Sequence, residues 1–545
     1  MRKYFNNTWF MYSIIFAFGF MLFLYEPVMM YLGQQAEFYF GINMVLKSSL
    51  FLLVITFFSL TIIYNAFYFF AKKKFLNFEN LTIILFIVFI CSYIQGNYLA
   101  GNLPLLDGRK IKWGDYTSDN IITIIIWIVI IITVIFLCKK FKKDRMLKIF
   151  GYVSLAVVLM LTSSLVTTLV QSDGIKKNDF IIKATAKNLG SYSQDKNFII
   201  ILLDTVDSRS FYRGITNNKE FKDTFNDFSY YPDTMSGHTY TWESLPLILT
   251  GSFYQNDEPI REYSTKAYKD SYLFKSLRDK GYDLNVYSSL LYDDISALNI
   301  SNFIDVTAYN TGGIIAQFAK QEIKYTLYKY LPYFLKKYSS IETLSWNIDV
   351  GNVKNQSYDM GVFNDYINKN DKIVDSDKKV FKFIHLEGGH YPFHYNKKLE
   401  NYDGNYQDMI EASLTLTNNY LNYLKKNEVY NNSVIVVMAD HGYDLEGGDI
   451  GRQNPILFIK GINEHHSAMI TSSKPISFVD LKNGFAGLID NNKSTELFKD
   501  ITDNRTRRFL WYHWESSGHM VEYETKGKAW ETDKMYKTGK VFEQK

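Results

Sequence analysis

Phe198-Ile-Ile-Ile-Leu-Leu-Asp204 decides the fold class. An unbroken apolar run that stops at an acid reads as a short strand buried on both faces. Val434-Ile-Val-Val-Met-Ala-Asp440-His441-Gly442 has the same form, and Leu284–Ser288, Val380–Leu386 and Ile456–Lys460 are further strands. Helices are expected at Glu243–Thr250, Asp270–Lys280, Ala316–Tyr338 and Gln407–Lys426. Strands alternating with amphipathic helices indicate an α/β domain whose sheet is covered on both faces. Ligands gather at the carboxyl ends of strands in such sheets, where Asp204 and Asp440-His441 stand. The tail from Arg508 alternates like a β-hairpin or small sheet, a small C-terminal β subdomain.

Toward the N-terminus the composition changes. Residues 1–171 hold five long apolar runs, near 9–32, 48–71, 81–99, 121–138 and 149–170. Each is about long enough to cross a hydrocarbon core of roughly 30 Å as a helix. The first run is too long for a cleaved signal peptide, has no small-residue cleavage site and is followed by four more. The expected division is a five-helix transmembrane domain (1–171), a polar connector (172–196) with a short interfacial helix around Phe180–Leu189, and an outer domain (197–545).

Basic residues set the orientation. Arg2 and Lys3 precede span one, Lys72, Lys73 and Lys74 follow span two, and Lys139, Lys140, Lys142, Lys143, Arg145 and Lys148 separate spans four and five. The remaining loops carry fewer, so the N-terminus is expected in the cytoplasm and residues beyond about 171 outside. Glu26-Pro27 then marks the outer end of span one, where an ionisable residue can also meet a lipid head group. The loop Leu103–Asp115 is outside too, placed either to dock on the outer domain or to anchor Trp113 and Tyr116 at the interface. Both cysteines, Cys91 and Cys138, fall in spans, so the outer domain uses no disulfide and no cysteine-ligated metal. A net charge of +4 is small for this length and argues against nucleic acid as a partner.

All nine histidines lie in the outer domain. Asp440 and His441 offer a carboxylate and an imidazole directly after a strand, and Asp204 adds a second carboxylate from another. Oxygen and nitrogen ligands without sulfur suit Zn²⁺ or Mn²⁺. Thr241-Trp-Glu-Ser-Leu-Pro-Leu-Ile-Leu-Thr-Gly251 reads as a short helix opening on a hydroxyl. Alone, that run favours a structural role, with Thr241 as N-cap and Gly251 as the stop. A helix start also offers free N–H groups and partial positive charge, which favour an alkoxide and a phosphate oxygen alike.

Together, Phe198–Asp204, Thr241-x-x-Ser-Leu-Pro-x-x-Leu-Thr-Gly and Asp440-His441-Gly442 resemble, in order and spacing, the sulfatase-like branch of the alkaline phosphatase superfamily. The five spans before an outer domain look like its membrane members, the lipoteichoic acid synthases and lipid A phosphoethanolamine transferases. Sulfatases proper carry Cys or Ser followed by x-Pro-x-Arg where this chain has Thr241-Trp-Glu-Ser-Leu. The membrane transferases use an unmodified Thr with Ser three and Pro five residues later, which Ser244 and Pro246 match.

The resemblance implies that Asp204, Asp440, His441 and the Thr241 hydroxyl hold a divalent metal, and that Thr241 is a nucleophile that becomes phosphorylated. Thr241 would take the phospho-head-group from a phospholipid donor and pass it to a hydroxyl of a surface glycan or glycolipid acceptor. Glu387-Gly-Gly-His-Tyr-Pro-Phe393 resembles the family segment whose His meets the phosphoryl group or protonates a leaving oxygen, which makes His390 a second catalytic residue. Its Gly pair would let the backbone approach a ligand closely. His385 alternates into a strand and reads as a buried, satisfied residue. Phosphoethanolamine transferases place a further His a dozen residues beyond the Asp-His pair; here that stretch offers Arg452, either a fixed charge for phosphate or a partner of Asp449. That departure tilts the reading toward phosphoglycerol. Ser244, Arg452 and His238, three residues before Thr241, are the candidate substrate-binding residues. The competing readings are an extracytoplasmic metal-dependent phosphodiesterase or sulfatase-like hydrolase, and a lipid-sensing regulator that keeps the fold without the catalysis.

Overall fold

A computed structural model describes all residues except 1, 34–40, 71–77, 102–110, 172–181, 289–297, 306–310, 340–357, 371, 446–449, 491–492, 513–518 and 544–545. The chain divides into two units, Met1–Phe180 with Thr307–Val350, and Ile181–Val306 with Gly351–Lys545. Thr307–Val350, inside the stretch that the sequence reading gives to the outer domain, therefore groups with the apolar helices.

Among its described residues the first unit holds five helical segments long and apolar enough to cross a membrane: Trp9–Gly33, Ile42–Phe67, Glu79–Tyr98, Trp113–Lys140 and Lys143–Gln171. The first changes to π-helical winding over Met21–Tyr25, and the Leu22 carbonyl accepts from Thr326 Oγ1 at 3.0 Å. Thr326 lies on a helix, Thr311–Tyr330, that packs against these spans. Gly96 gives it room, since a Cβ there would meet the Tyr330 ring at 2.3 Å. The helix expected over 316–338 breaks before Pro332 and resumes at Tyr333–Lys336. Proline lacks the N–H that a continuing helix needs and disfavours helical backbone in the residue before it. Trp113 and Tyr116 set their rings against Tyr328 (6.4 Å) and Tyr333 (6.1 Å), the packing that their aromatic bodies provide here. The remainder of the loop at 102–110 lies outside the described residues.

The second unit is an α/β domain around a seven-stranded mixed sheet. Its strands are β1 (Asn197–Leu203), β2 (Ser229–Tyr230), β3 (Tyr282–Tyr287), β4 (Lys379–Leu386), β5 (Ser433–Met438), β6 (Leu457–Lys460) and β7 (Ile470–Thr471). The order is β7-β2-β6-β5-β1-β4-β3. β5, β1, β4 and β3 run parallel as neighbours, and β6 is antiparallel to both β5 and β2. Along β1 the side chains alternate between two cores. Ile199, Ile201 and Leu203 enter one, while Phe198, Ile200 and Leu202 enter the other. That two-sided burial is what its unbroken apolar sequence encodes.

Three antiparallel strands, β8 (Arg507–Tyr512), β9 (His519–Thr525) and β10 (Tyr536–Glu543), form the C-terminal sheet. The buried Arg507 guanidinium anchors it to Asp233 at 2.8 Å. The interfacial helix expected at Phe180–Leu189 is absent from the described part of that stretch. Ile182–Ala184 is a strand paired with Phe303–Asp305, and turns follow it. Pairing with a distant segment outweighs local helical preference there.

Candidate metal and nucleophile site

Three neighbouring parallel strands, β4, β1 and β5, end side by side and deliver the polar cluster. Register places Leu202 opposite both His385 and Met438, so Asp204 and Asp440 both lie just past the ends of paired strands. Asp204, His385 and Asp440 are buried, and one ligand atom from each lies within 4.8 Å of the other two. His385 Nε2 is 3.3 Å from Asp204 Oδ2; His441 Nε2 is 3.4 Å from Asp440 Oδ2 and 3.8 Å from Asp204 Oδ1. Such spacings suit donors about 2 Å from a shared ion.

The surrounding hydrogen bonds aim these donors. His441 Nδ1 meets the Gly442 carbonyl at 2.9 Å, which requires a proton on Nδ1 and leaves the Nε2 lone pair toward the carboxylates. Ser288 Oγ holds His385 Nδ1 at 2.9 Å. Asp440 Oδ1 accepts from the backbone N–H of Thr205 (3.1 Å) and His441 (2.9 Å), whereas its buried Oδ2 has no hydrogen-bond partner among the described residues. An orphaned carboxylate oxygen facing imidazole nitrogens is costly unless a cation joins them. The donor set of two carboxylates and two imidazoles therefore fits a divalent metal.

Burial alone would raise the Asp204 carboxyl, but the imidazoles of His390, His385 and His441 outweigh it and hold the group below the usual carboxylate range. Thr205 Oγ1 (2.6 Å) and the Tyr358 hydroxyl (3.3 Å) donate to the same carboxylate.

Thr241 is the first residue of the helix Thr241–Thr250 rather than its cap. Tyr240, in extended backbone, takes the cap position without a side-chain hydrogen bond, and Gly251 ends the helix at φ +76°. The Thr241 hydroxyl is thus not consumed in capping. The Tyr240 ring lies edge-on to His441 at 6.3 Å and under the Arg452 guanidinium at 4.8 Å, which brings the helix start beside the Asp440-His441 strand end. Arg452 is tied in further by its carbonyl, which accepts from Gly442 N–H at 2.7 Å. Asp449, its alternative partner, lies outside the described residues.

The C-terminal sheet steadies this segment. Leu510 N–H donates to the Gly237 carbonyl, Thr239 Oγ1 donates to the Leu510 carbonyl, and Tyr512 N–H donates to Thr239 Oγ1.

His390 is half-buried on the turn after β4, its N–H donating to the Glu387 carbonyl at 2.8 Å and its Nδ1 to Tyr391 O. The Gly pair before it approaches the backbone of Asp204. A Cβ on Gly388 (φ +53°) would meet Asp204 O at 2.6 Å, and Gly389 N–H donates to that same carbonyl at 2.8 Å.

Two of the candidate substrate-binding residues are buried. His238 is fully buried, with Nε2 on the Tyr254 carbonyl at 2.9 Å and its ring on Phe253. Ser244 is also buried, and its Oγ has no hydrogen-bond partner among the described residues. The residue that sequence reading passed over is His385. Its strand position gave the signal of a core residue; only its registry beside Asp204 marks it as a donor.

Comparison with known proteins agrees with this architecture. The Sulfatase family model matches residues 196–494, more than half of the chain. Among solved structures, this chain is similar to Ps i-CgsB in complex with k-i-k-neocarrahexaose (15% identity, 61% of this chain and 82% of that one, TM-score 0.39). It is similar to a protein in the alkaline phosphatase superfamily from Vibrio parahaemolyticus (12% identity, 66% and 85%, TM-score 0.38). A third is the lipoteichoic acid synthase LtaP from Listeria monocytogenes (11% identity, 63% and 88%, TM-score 0.35). No curated protein matches this chain. With a family match spanning the sheet, the strand-end cluster and the Thr241 helix, this chain belongs to the sulfatase family.

Proposed function

We propose that this chain is a membrane-bound transferase that moves a phospho-head-group, phosphoglycerol or phosphoethanolamine, from a phospholipid to a surface glycan or glycolipid through a phosphorylated Thr241. The observation that carries the reading is an uncapped Thr241 at a helix start whose neighbour Tyr240 rests on His441, beside the buried donors Asp204, His385 and Asp440. The five apolar helices supply the means of meeting a lipid donor, and the basic loops support an N-terminus in the cytoplasm with the catalytic unit outside.

Asp204, His385, Asp440 and His441 would hold Mn²⁺ or Zn²⁺, with the Thr241 hydroxyl as a further ligand in this reading. Bound there, the ion would make the threonine hydroxyl more acidic and offset charge on the phosphoryl oxygens. Thr241 Oγ forms a bond to phosphorus while the bond from phosphorus to the diacylglycerol oxygen breaks, and the threonine proton passes to that leaving oxygen. In this reading His390 would carry this proton. An acceptor hydroxyl oxygen then bonds to phosphorus, the Thr241 Oγ–phosphorus bond breaks, and the acceptor's proton returns to Thr241. Free N–H groups at the helix start and Arg452 favour the anionic phosphoryl group throughout.

The test is intact-mass analysis of the full chain in lipid nanodiscs with head-group-labelled phosphatidylglycerol or phosphatidylethanolamine and Mn²⁺ or Zn²⁺. The expected result is a phospho-head-group adduct on Thr241 that is absent in Thr241→Ala and discharges when a glycan acceptor is added. No adduct with either lipid removes the catalytic readings. An adduct that turns over to water at the same rate without a glycan assigns a hydrolase instead.

A further inference from the structure

The chain that follows His390 builds a hairpin with a cavity in it. Tyr402 N–H donates to the His394 carbonyl at 2.8 Å, Gly404 N–H to the Phe393 carbonyl at 3.0 Å, and Tyr395 bridges Asn401. Between the arms lies an open cavity of about 420 Å³, walled by Tyr391, Phe393, His394, Asn401, Tyr402 and Asp403. Its rings are fixed from behind. Phe393 packs edge-on against Tyr406 (6.0 Å) and Tyr443 (6.1 Å), and Tyr391 against Phe393 (5.3 Å). Gly404 lies so close under Tyr402 that a Cβ would sit 2.8 Å from its ring. Tyr402 remains 52% exposed, leaving its ring open to a ligand.

We propose that this cavity binds one or two neutral sugar rings and is the acceptor subsite of the transferase; the acceptor role rests on the function proposed above. Three properties select that ligand. The walls pair aromatic faces with a few polar groups, Asn401, Asp403 and His394, the lining that orients a ligand with one C–H face and an edge of hydroxyls. Among the described residues lining the cavity none is Lys or Arg and one is acidic, which disfavours a phosphate or other anion. The volume would leave a two-carbon ammonium head group mostly uncontacted, while pyranose rings fill it. Its position suits an acceptor, because its first wall residue, Tyr391, directly follows His390 on the turn whose Gly389 N–H donates to the Asp204 carbonyl at 2.8 Å.

Saturation-transfer NMR on the full chain in nanodiscs tests this, with cellobiose, lactose and N,N′-diacetylchitobiose as probes and ethanolamine and inorganic phosphate as alternatives. The expected result is transfer to ring C–H protons of at least one disaccharide, reduced fivefold or more in Tyr402→Ala and retained in Tyr402→Phe, with the thermal midpoints of all three proteins matched. No transfer to any disaccharide overturns the proposal, as does equal transfer in Tyr402→Ala. A Tyr402-dependent signal from ethanolamine or phosphate in place of sugar also overturns it. Thr241 labelling of the parent chain is read separately. An unlabelled Thr241 with sugar binding intact removes the transferase reading and leaves the cavity as a glycan site.

Discussion

His385 Nε2 stands 3.3 Å from Asp204 Oδ2, two side chains delivered by adjacent strands whose residues Leu202 and His385 are direct register partners. A buried imidazole against a buried carboxylate can be an ordinary satisfied pair, or one side of a metal site. Asp440 Oδ2, orphaned across from them, favours the second. His385→Ala is therefore expected to weaken Zn²⁺ or Mn²⁺ binding by at least the 10–100-fold typical of a lost supporting residue. Metal content by mass spectrometry and titration calorimetry check this. Undiminished metal binding in the variant would return His385 to the structural core.

Gly388 is the next test, because it packs onto the backbone that aims Asp204. At φ +53° an alanine costs about 1–2 kcal/mol in backbone strain alone, and its Cβ would meet Asp204 O at 2.6 Å. Relief requires the end of β1 to move. Gly388→Ala is expected both to lower the thermal midpoint and to weaken metal binding roughly tenfold or more. A variant that loses stability but keeps parental metal affinity would show that the Gly pair serves folding only.

What could be read from sequence divides along the range of the contacts. β1 and β5 were legible because each is a continuous apolar run that announces two-sided burial and stops at its own ligand. Asp204, Asp440 and His441 therefore stand out in local pattern as candidate donors. His385 did not. It lies inside an apolar alternation, and its role depends on β4 lying beside β1, a pairing of segments about 180 residues apart. His238 is the contrasting case, since nearness to Thr241 in sequence suggested a pocket. Pairing of His238 with Leu510, from the far C-terminal sheet, places that side chain in the interior instead. Nor could the sequence link Lys329 to Glu26 across 303 positions. An amphipathic helix at 311–330 shows that it has a face to bury, not which partner buries it.

That last link makes a stability prediction for the first unit. Lys329 Nζ lies 2.6 and 2.7 Å from the two Glu26 carboxylate oxygens, and the Tyr330 hydroxyl donates to one of them at 2.9 Å. Glu26 is 2% exposed, so removing its cation strands a buried charge. Lys329→Met is expected to cost about 3–5 kcal/mol, and the double variant Glu26→Gln with Lys329→Met to recover most of that. Thermal unfolding in detergent, followed through the apolar helices, measures both. A single variant as stable as the parent would show that the pair is incidental to the packing of Thr311–Tyr330.

His238 supplies a pH dependence whose sign is fixed by its surroundings. Burial pushes its imidazole down to about 4, only partly opposed by the Tyr254 carbonyl, and Arg508 adds to the fall. One nitrogen, Nε2, donates to that carbonyl, and the buried Nδ1 has no hydrogen-bond partner among the described residues, so a second proton there would be unpaired. In the unfolded chain the same group titrates near its ordinary value of about 6.5. Above that pH neither state binds the proton and His238 costs nothing. As pH falls from about 6.5 toward 4 the unfolded state takes up a proton that the folded state refuses, so stability drops, reaching about 3 kcal/mol at the lower end. His238→Gln keeps a side-chain donor for Tyr254 but cannot titrate. Denaturant unfolding of the parent between pH 7 and 4 is expected to show this loss, and the variant a slope shallower by roughly that amount. Parallel pH profiles for the two proteins would mean that His238 is protonated within the fold, with a partner on Nδ1.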